Sequence, residues 1–231
     1  YAGTALTSGQ ESVLIGIQAG QTLTTGDANT AVGTYALYHN VIGNYNTAIG
    51  RGAGARFLND ESTALGYFTG HYASGSRNTF LGSGAGKGGT TSAPFSSGAS
   101  QVAVGYNALT AFTTAQRMVA IGYESMHNVT TGEESIAIGY QAAYYNSGSN
   151  SVSIGSYAGM SSGAGYNVSV GFRAGGSAAD SNVAVGYNAM GLVAAGSQNV
   201  AIGNVASSVL KGSYTTTVGS QAGRFASGSN N

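Results

Sequence analysis

One short pattern recurs along the whole chain and constrains the fold more than any other feature. Each copy ends on a glycine, here called the anchor, as in Asn199–Gly203, and neighbouring anchors lie 15 to 17 residues apart, with one gap of 23. The thirteen anchors are Gly16, Gly33, Gly50, Gly66, Gly82, Gly105, Gly122, Gly139, Gly155, Gly171, Gly186, Gly203 and Gly219. A period of this length is typical of arrays in which each unit contacts its neighbours. We therefore predict a single repeat array over residues 1–231.

The residues before each anchor alternate in type. The residue one position before it is always aliphatic, the residue three positions before it is always β-branched, and the one between them is usually Ala. Alternation of this kind, bounded by Gly and Asn, predicts a short β-strand. The sequence thus indicates an all-β fold, a parallel β-roll (β-solenoid) of about thirteen short coils. We expect the two larger columns to face the interior and the Ala column to face outward.

Two further columns have a predicted role. Four residues before the anchor, Asn is frequent, and stacked side-chain amides there are expected to satisfy backbone groups of the turns. After the anchor an aromatic residue is frequent. Since coils stack about 4.8 Å apart, such residues are expected to form an aromatic ladder, and thirteen coils would give a rod on the order of 60 Å long. The candidate ligand contacts in this column are Tyr67, Tyr106, Tyr123, Tyr140 and Tyr187.

The gap of 23 residues marks an insertion at residues 87–100, which also contains the only proline of the chain. In a solenoid an insertion is expected to leave the coil as a surface loop. Pro94 and Phe95 in this loop are the remaining candidate ligand contacts, against the alternative that the loop has no ligand.

Composition excludes several classes of function. Eight basic and eight acidic residues give a net charge of zero, so no basic patch for nucleic acid is expected. There is no cysteine for a disulfide or a Cys-based metal site, and no apolar run of the roughly 20 residues that span a bilayer. Histidines and carboxylates are scattered, so we expect no catalytic residue, no metal site and no cofactor. No helix pattern follows the GxGxxG in Gly84–Gly89 and no βαβ unit surrounds it, so it is not expected to bind a nucleotide. Both ends fall inside repeat-like sequence, which indicates a segment of something longer.

Several copies read Asn, Thr, Ala, Ile or Val, Gly, as in Asn29–Gly33 and Asn46–Gly50. This phrase, with its period, resembles the head repeats of YadA-type trimeric autotransporter adhesins and the N-T-A-I-G repeat arrays of phage and marine-virus tail fibres. The resemblance covers nearly the whole chain. It implies a left-handed β-roll, three chains side by side, and an extracellular location on a virion fibre or a cell surface. The copies here are slightly longer than those of the adhesin heads.

The leading hypothesis is a non-enzymatic fibre segment that presents a multivalent surface for attachment to a host receptor or a surface glycan. Rows of small residues facing outward would let the chains of a homo-oligomer approach closely; the expectation of a trimer comes from the resemblance. One alternative is an ice-binding β-solenoid, which the inward direction expected for the Thr column disfavours. Others are a structural spacer without a ligand and a depolymerising tailspike enzyme, which needs facing carboxylates.

Overall fold

A computed structural model describes residues 1–89, 95–161, 163–176, 179–192, 196–225 and 228. It divides into two compact units, residues 1–118 and 119–231, which are called unit 1 and unit 2. Coil 1 to coil 13 denote the segments around the thirteen anchors in chain order. Coils 1–6 lie in unit 1 and coils 7–13 in unit 2. The prediction that both belong to one array stays a prediction.

Each coil contributes one three-residue strand that ends at the residue before the anchor. The strands are β1 Val13–Ile15, β2 Thr30–Val32, β3 Thr47–Ile49, β4 Thr63–Leu65, β5 Thr79–Leu81, β6 Val102–Val104, β7 Val119–Ile121, β8 Ile136–Ile138, β9 Val152–Ile154, β10 Val168–Val170, β11 Val183–Val185, β12 Val200–Ile202 and β13 Thr216–Val218. Within each unit every strand pairs in parallel with the next one, repeat position against repeat position. The described residues contain no helix. The predicted all-β solenoid of about thirteen short coils is confirmed.

The anchor is glycine for two separate reasons. At Gly50 the backbone has φ +130°, which side chains disfavour. A Cβ there would lie 2.7 Å from the carbonyl carbon of Gly66, the anchor of the next coil. The anchors therefore stack backbone on backbone, and any side chain would separate two coils.

The other corners of the coil use the left-handed region of backbone space. Positive φ recurs five residues before the anchor, as at Glu61 (φ 62°), and two residues after it, as at Val205 (φ 57°). It also recurs four residues after the anchor, as at Met190 (φ 47°). Left-handed residues that are not glycine carry a cost of about 1–2 kcal/mol each. The coil repeats these turns because backbone hydrogen bonds join them to the next coil, as from Leu37 to Ala53 (3.1 Å).

The strands face the opposite way from our expectation. In almost every strand the central residue is buried and the two larger residues that flank it are exposed or half-buried, as in β8, where Ala137 is buried between Ile136 and Ile138. The prediction that the aliphatic and β-branched columns form the core was wrong. The core is narrow because the column three residues after the anchor is also small and buried, as at Ala36 and Ala142. A coil closed by such short side chains has room for Ala, but not for two rows of Ile or Val.

Two side chains inside each coil share one space: the central strand residue and the residue four positions after the anchor. Where Ala occupies the strand, the second position is usually larger, as in the pairs Ala31 with Leu37 and Ala184 with Met190. Where a larger residue occupies the strand, the second position is Gly, as in Phe80 with Gly86, whose added Cβ would collide with the Phe80 ring. The interior is therefore filled by complementary volumes, as close packing demands.

The Asn column forms the hydrogen-bonded ladder that we predicted. Asn46 is fully buried; its Oδ1 accepts from the backbone N of Ser62 (2.9 Å) and its Nδ2 donates to the carbonyl of Asn59 (2.8 Å). In unit 2 the Oδ1 of Asn182 and that of Asn199 accept from the next coil in the same way (both 2.9 Å). Each amide thus satisfies a backbone N–H of the following coil and a carbonyl of a turn, which buried backbone groups require.

Candidate binding surfaces

Within each unit, the outer side of the strands is a surface of mainly aliphatic and β-branched side chains, here called the outer face. It consists of the first and third residues of each strand, which lie in register on one side of a parallel sheet. Ile138 and Ile154 are each 38% exposed, and Ile202 is 41% exposed. No charged residue occurs in any of the strands. Parallel sheets are normally covered on both faces, so an aliphatic outer face of this kind indicates an interaction surface.

The outer face differs in composition between the two units. In unit 1 its first row contains four consecutive threonines, Thr30, Thr47, Thr63 and Thr79, which lie beside aliphatic residues of the second row. In unit 2 both rows are aliphatic except for Thr216 in β13. The four consecutive threonines of unit 1 are exposed or half-buried, so the expectation that they face inward, which disfavoured an ice-binding surface, was wrong.

Aromatic rings stack after the anchors of unit 2. Tyr123 and Tyr140 lie parallel with ring centroids 5.2 Å apart, and Tyr157 meets Tyr140 edge-on at 5.2 Å. Phe172 and Tyr187 form a second parallel pair at 5.4 Å. A side-chain hydrogen bond with Tyr157 is the main reason that the pKa of Tyr140 is raised above its usual 10.0. Rings of successive coils are therefore in contact with one another along the direction in which the coils stack.

Slot A is a notch over coil 3, with a volume of about 320 Å³. Its floor is made by the small residues Gly52 and Ala55. Coils 2 and 4 carry aromatic side chains at the corresponding positions, so one wall contains Tyr35 and Tyr38, and the other contains Phe68 and His71. The walls come from coils two steps apart, about 10 Å.

Two arginines line slot A besides the aromatic walls. The Arg51 guanidinium lies over the rings of Tyr67 (5.9 Å) and Phe68 (5.6 Å), and the Arg56 guanidinium lies 4.7 Å from the Phe95 ring centroid. The Nε of Arg56 is buried and has no hydrogen-bond partner among the described residues. Stacking over rings occupies the flat faces of these guanidinium groups and leaves N–H donors at their edges.

His71 adds a polar group to the wall of slot A. Its Nδ1 lies 2.8 Å from the carbonyl oxygen of Gly52, to which it donates when protonated at that nitrogen. Burial lowers the pKa of His71 below its ordinary 6.5, the hydrogen bond to Gly52 opposes this, and the charges of Arg56 and Lys87 lower it further. At neutral pH the imidazole is therefore uncharged.

Slot B repeats the arrangement over coil 5, also with a volume of about 320 Å³. Ser83 and Gly84 of coil 5 lie between residues of coils 4 and 6, and the amide oxygen of Asn107 lies close above Gly84, where a side chain on Gly84 would be. The residues that line slot B are Tyr67, Phe68, Ser83, Gly84, Lys87, Tyr106 and Asn107. Phe68 lines both slots, so slots A and B are adjacent along unit 1 and share coil 4. Two of the predicted tyrosines, Tyr67 and Tyr106, thus lie in one cavity with a lysine.

Slot C lies over coil 10 in unit 2, with a volume of about 440 Å³. Gly176 lies at its floor, Tyr157 comes from coil 9, and Tyr187 comes from coil 11. The guanidinium of Arg173 lies over the rings of Tyr157 (5.6 Å) and Phe172 (5.3 Å). Slot C therefore has the same components as slot A: small residues in one coil, aromatic residues in the coils on either side, and an arginine stacked on the rings.

Carboxylates are placed on a different corner of the coil. Seven of the eight acidic residues lie five or six residues before an anchor, whereas the slots are built from residues one to six positions after one. The exception, Glu124, accepts a hydrogen bond from Gln141 (2.7 Å) in unit 2 and lines none of the three slots. Within the described residues no ion pair joins Arg51, Lys87 or Arg173 to a carboxylate.

The predicted insertion at residues 87–100 lies partly within the coil stack. Ser96 is buried and forms a parallel bridge with Ala73, and Ser97 donates to the carbonyl of Thr113 (2.8 Å). The Phe95 ring stacks on Tyr72 with centroids 6.4 Å apart. Residues 90–94, which include the predicted contact Pro94, lie outside the described residues.

The tyrosines that directly follow an anchor were predicted from the sequence, but other residues that line the slots were not. Arg51, Phe68, Lys87, Tyr157 and Arg173 occupy several different positions after their anchors, so no single column contains them. The signal that could have found them is the alternation of aromatic and small residues between successive coils.

Other kinds of site have no support in the described residues. They contain no group of three or more His, Cys, Asp or Glu side chains that could hold a metal ion. No helix long and apolar enough to cross a membrane occurs in that part of the chain. Comparison with protein-family models, with curated proteins and with solved structures finds no match.

Proposed function

We propose that the chain is a structural and adhesive segment of an extracellular fibre, in which copies of the chain associate through the outer face. The carrying observation is the outer face itself: two in-register rows of aliphatic and β-branched residues on a parallel sheet, without any charge. A second copy of the chain is the partner that fits this face best, because the rows of its own outer face repeat at the same strand spacing of about 4.8 Å. Side chains of both copies can then interdigitate along the outer face of each unit.

The number of chains and the hand of the coil rest on the resemblance stated above. A left-handed coil with three chains side by side is the arrangement of the adhesin heads and tail fibres that this sequence resembles. In this arrangement the three outer faces meet at the centre, and the turns that carry the slots point away from it. This reverses our expectation that the Ala rows form the contact, since the Ala column lies inside each coil.

The repetition of the slots along the chain supports attachment to a host surface. The slots recur along the chain, and each additional copy of the chain multiplies them, so weak contacts add up to a strong attachment. Tyrosine supplies an apolar face and a hydroxyl, a combination that suits sugars. We propose no enzymatic role, no nucleic acid partner and no membrane insertion.

The experiment is a pair of matched double variants of the full chain, compared by sedimentation velocity. Ile138→Lys with Ile154→Lys places two charges on the outer face, whereas Tyr145→Lys with Ser147→Lys places the same charges on an exposed turn. The outer-face variant should sediment as a single folded chain, and the turn variant should keep the mass of the unmodified assembly. Retention of the assembly by both variants contradicts the proposal.

An ice-binding surface is a second candidate, favoured by one specific observation. Four threonines in successive strands of unit 1 lie outward, in register and without intervening charges. Thermal hysteresis of the purified chain that disappears in Thr47→Tyr would support this candidate. The fibre proposal predicts no hysteresis, because the outer face is then covered by other chains.

A further inference from the structure

We infer that slots A, B and C bind acidic sugar residues of a polysaccharide, one charged sugar ring in each slot. This inference deepens the proposed function, because it names the ligand class of the attachment surface, and it rests on that proposal only for the presence of a glycan partner. It is carried by three cavities built on the same plan, each with aromatic walls, a floor that includes small residues, and at least one cation.

The shape of the slots fits a pyranose ring. In slot A the floor of Gly52 and Ala55 lies between aromatic side chains of coils about 10 Å apart. A sugar ring that enters between them can place its C–H face against Tyr35 or Phe68 and its hydroxyl groups toward polar groups of the wall. Cavities of a few hundred Å³ with apolar walls and few polar groups are typical of small-ligand sites.

The charge of the slots fits an acidic sugar. Arg51 and Arg56 line slot A, Lys87 lines slot B, and Arg173 lines slot C, while none of the described residues that line the three slots is a carboxylate. The buried Nε of Arg56, which has no partner among the described residues, marks an unsatisfied donor beside slot A. A guanidinium that is stacked on rings presents its edge to a carboxylate, which accepts from two donors at once.

The spacing of the charges distinguishes an acidic polysaccharide from a nucleic acid. Slots A and B share coil 4, and their floors are two coils apart, about 10 Å. Each strand of a DNA duplex carries one phosphate for about every 3.4 Å of helix axis, so most of its phosphates would have no cation. A polysaccharide with one acidic residue in each short repeat places its charges farther apart, as the slots do.

A glycan array probed with the full chain tests the inference. The array carries acidic glycans that contain uronic or sialic acid, the methyl esters of the same glycans, and single-stranded oligothymidylate. We expect an acidic glycan to bind and its methyl ester to bind about ten-fold more weakly, since the ester retains the ring and loses the charge. Arg51→Gln and Arg173→Gln should each weaken binding in the same direction. Arg77→Gln, which removes an equal charge from an exposed position before β5, should leave it unchanged.

Several outcomes overturn the inference. The inference is wrong if the chain binds none of the acidic glycans, or if it binds an acidic glycan and its methyl ester equally well. It is also wrong if Arg77→Gln and Arg51→Gln lose the same amount of glycan affinity, or if oligothymidylate binds more tightly than the acidic glycans. Neutral-glycan binding that is lost in Tyr35→Ala but kept in Arg51→Gln would overturn the acidic ligand and leave glycan attachment intact. The mass of the same sample separates the two proposals: an assembled chain that binds no glycan contradicts only the slots, and a single chain that binds acidic glycans contradicts only the assembly.

Discussion

The two faces of the same strands follow opposite rules. Inward, the volume of the central residue is matched to that of a residue across the coil: Ala184 is small and faces Met190, whereas Phe80 is large and faces Gly86. Outward, Ile, Val, Leu and Thr alternate freely between coils and are exposed or half-buried. The interior therefore specifies the coil, whereas the side chains of the outer face remain available for contact with other molecules.

A larger side chain on the inner face should have the largest effect on stability. Ala184→Leu overfills the space already occupied by Met190 and should cost about 3 kcal/mol in the free energy of unfolding, measured by chemical denaturation. The outer-face control Val185→Leu should change it by less than about 0.5 kcal/mol. Equal losses of unfolding free energy in the two variants would mean that the inner face is packed no more tightly than the outer face.

A compensating variant sharpens the same comparison. Met190 has φ 47°, a conformation that glycine adopts freely, so Met190→Gly creates space without straining the backbone. The double variant Ala184→Leu with Met190→Gly should recover most of the stability that Ala184→Leu loses. If the double variant instead loses the sum of the unfolding free energies that the two single variants lose, the side chains at the two positions do not compete for the same space.

Removal of one rung of the Asn ladder should have the next largest effect. Asn46→Ala leaves the buried N–H of Ser62 and the carbonyl of Asn59 without their partners, at a cost of roughly 2–4 kcal/mol. Asn46→Ser should lose less, because serine already fills this role at Ser135, whose Oγ accepts from the N of Ser151 (3.1 Å). Thermal denaturation of both variants measures the difference, and a larger loss in the Ser variant would contradict the ladder.

Acid should weaken unit 1 through His71. Its pKa is lowered in the folded chain, chiefly because burial disfavours the cation, so the unfolded chain binds the proton at higher pH than the folded chain does. Stability is therefore full above pH 6.5, decreases as the pH falls toward the lowered pKa, and decreases no further below it. His71→Gln should remove this part of the pH dependence, which denaturation between pH 7 and pH 5 measures. An unchanged pH dependence in this variant contradicts the role of His71.

The smallest predicted effect is a gain in stability at a strained corner. Val205 is β-branched and has φ 57°, whereas two other coils place Asn107 (φ 50°) and Asn188 (φ 51°) at the same position. Asn tolerates the left-handed region, so Val205→Asn should raise the free energy of unfolding by about 1 kcal/mol in chemical denaturation. A loss of stability would show that the contacts of the half-buried Val205 outweigh its backbone strain.

Much of the fold could be predicted from the sequence, because the anchors mark where each strand ends and the columns mark which residues pair. The Asn ladder was also predictable, since a polar residue directly precedes twelve of the thirteen strands, and a polar side chain that recurs beside the turns is expected to serve the backbone. The direction of the strands was not, because alternation defines two faces without telling which of them lies inside. That choice depends on a second column, at Ala36 and its equivalents, which closes the coil and leaves too little room for two rows of aliphatic strand residues.

The slots were harder to predict than the strands. Tyr67, Tyr106 and Tyr187 share one column and could be selected from the sequence, but the cations that accompany them come from different positions after the anchor. They meet because the left-handed residues of each coil turn the chain sharply and bring residues one to six positions after the anchor to one side. Residue types alone do not contain that turn geometry.

The central claim is that the outer face is covered by other copies of the same chain. Native mass spectrometry of the unmodified full chain, diluted across the micromolar range, tests it most directly. The account predicts a mass of three chains that persists on dilution. A folded chain with the mass of one copy throughout the range would contradict it and would leave the outer face free for another partner.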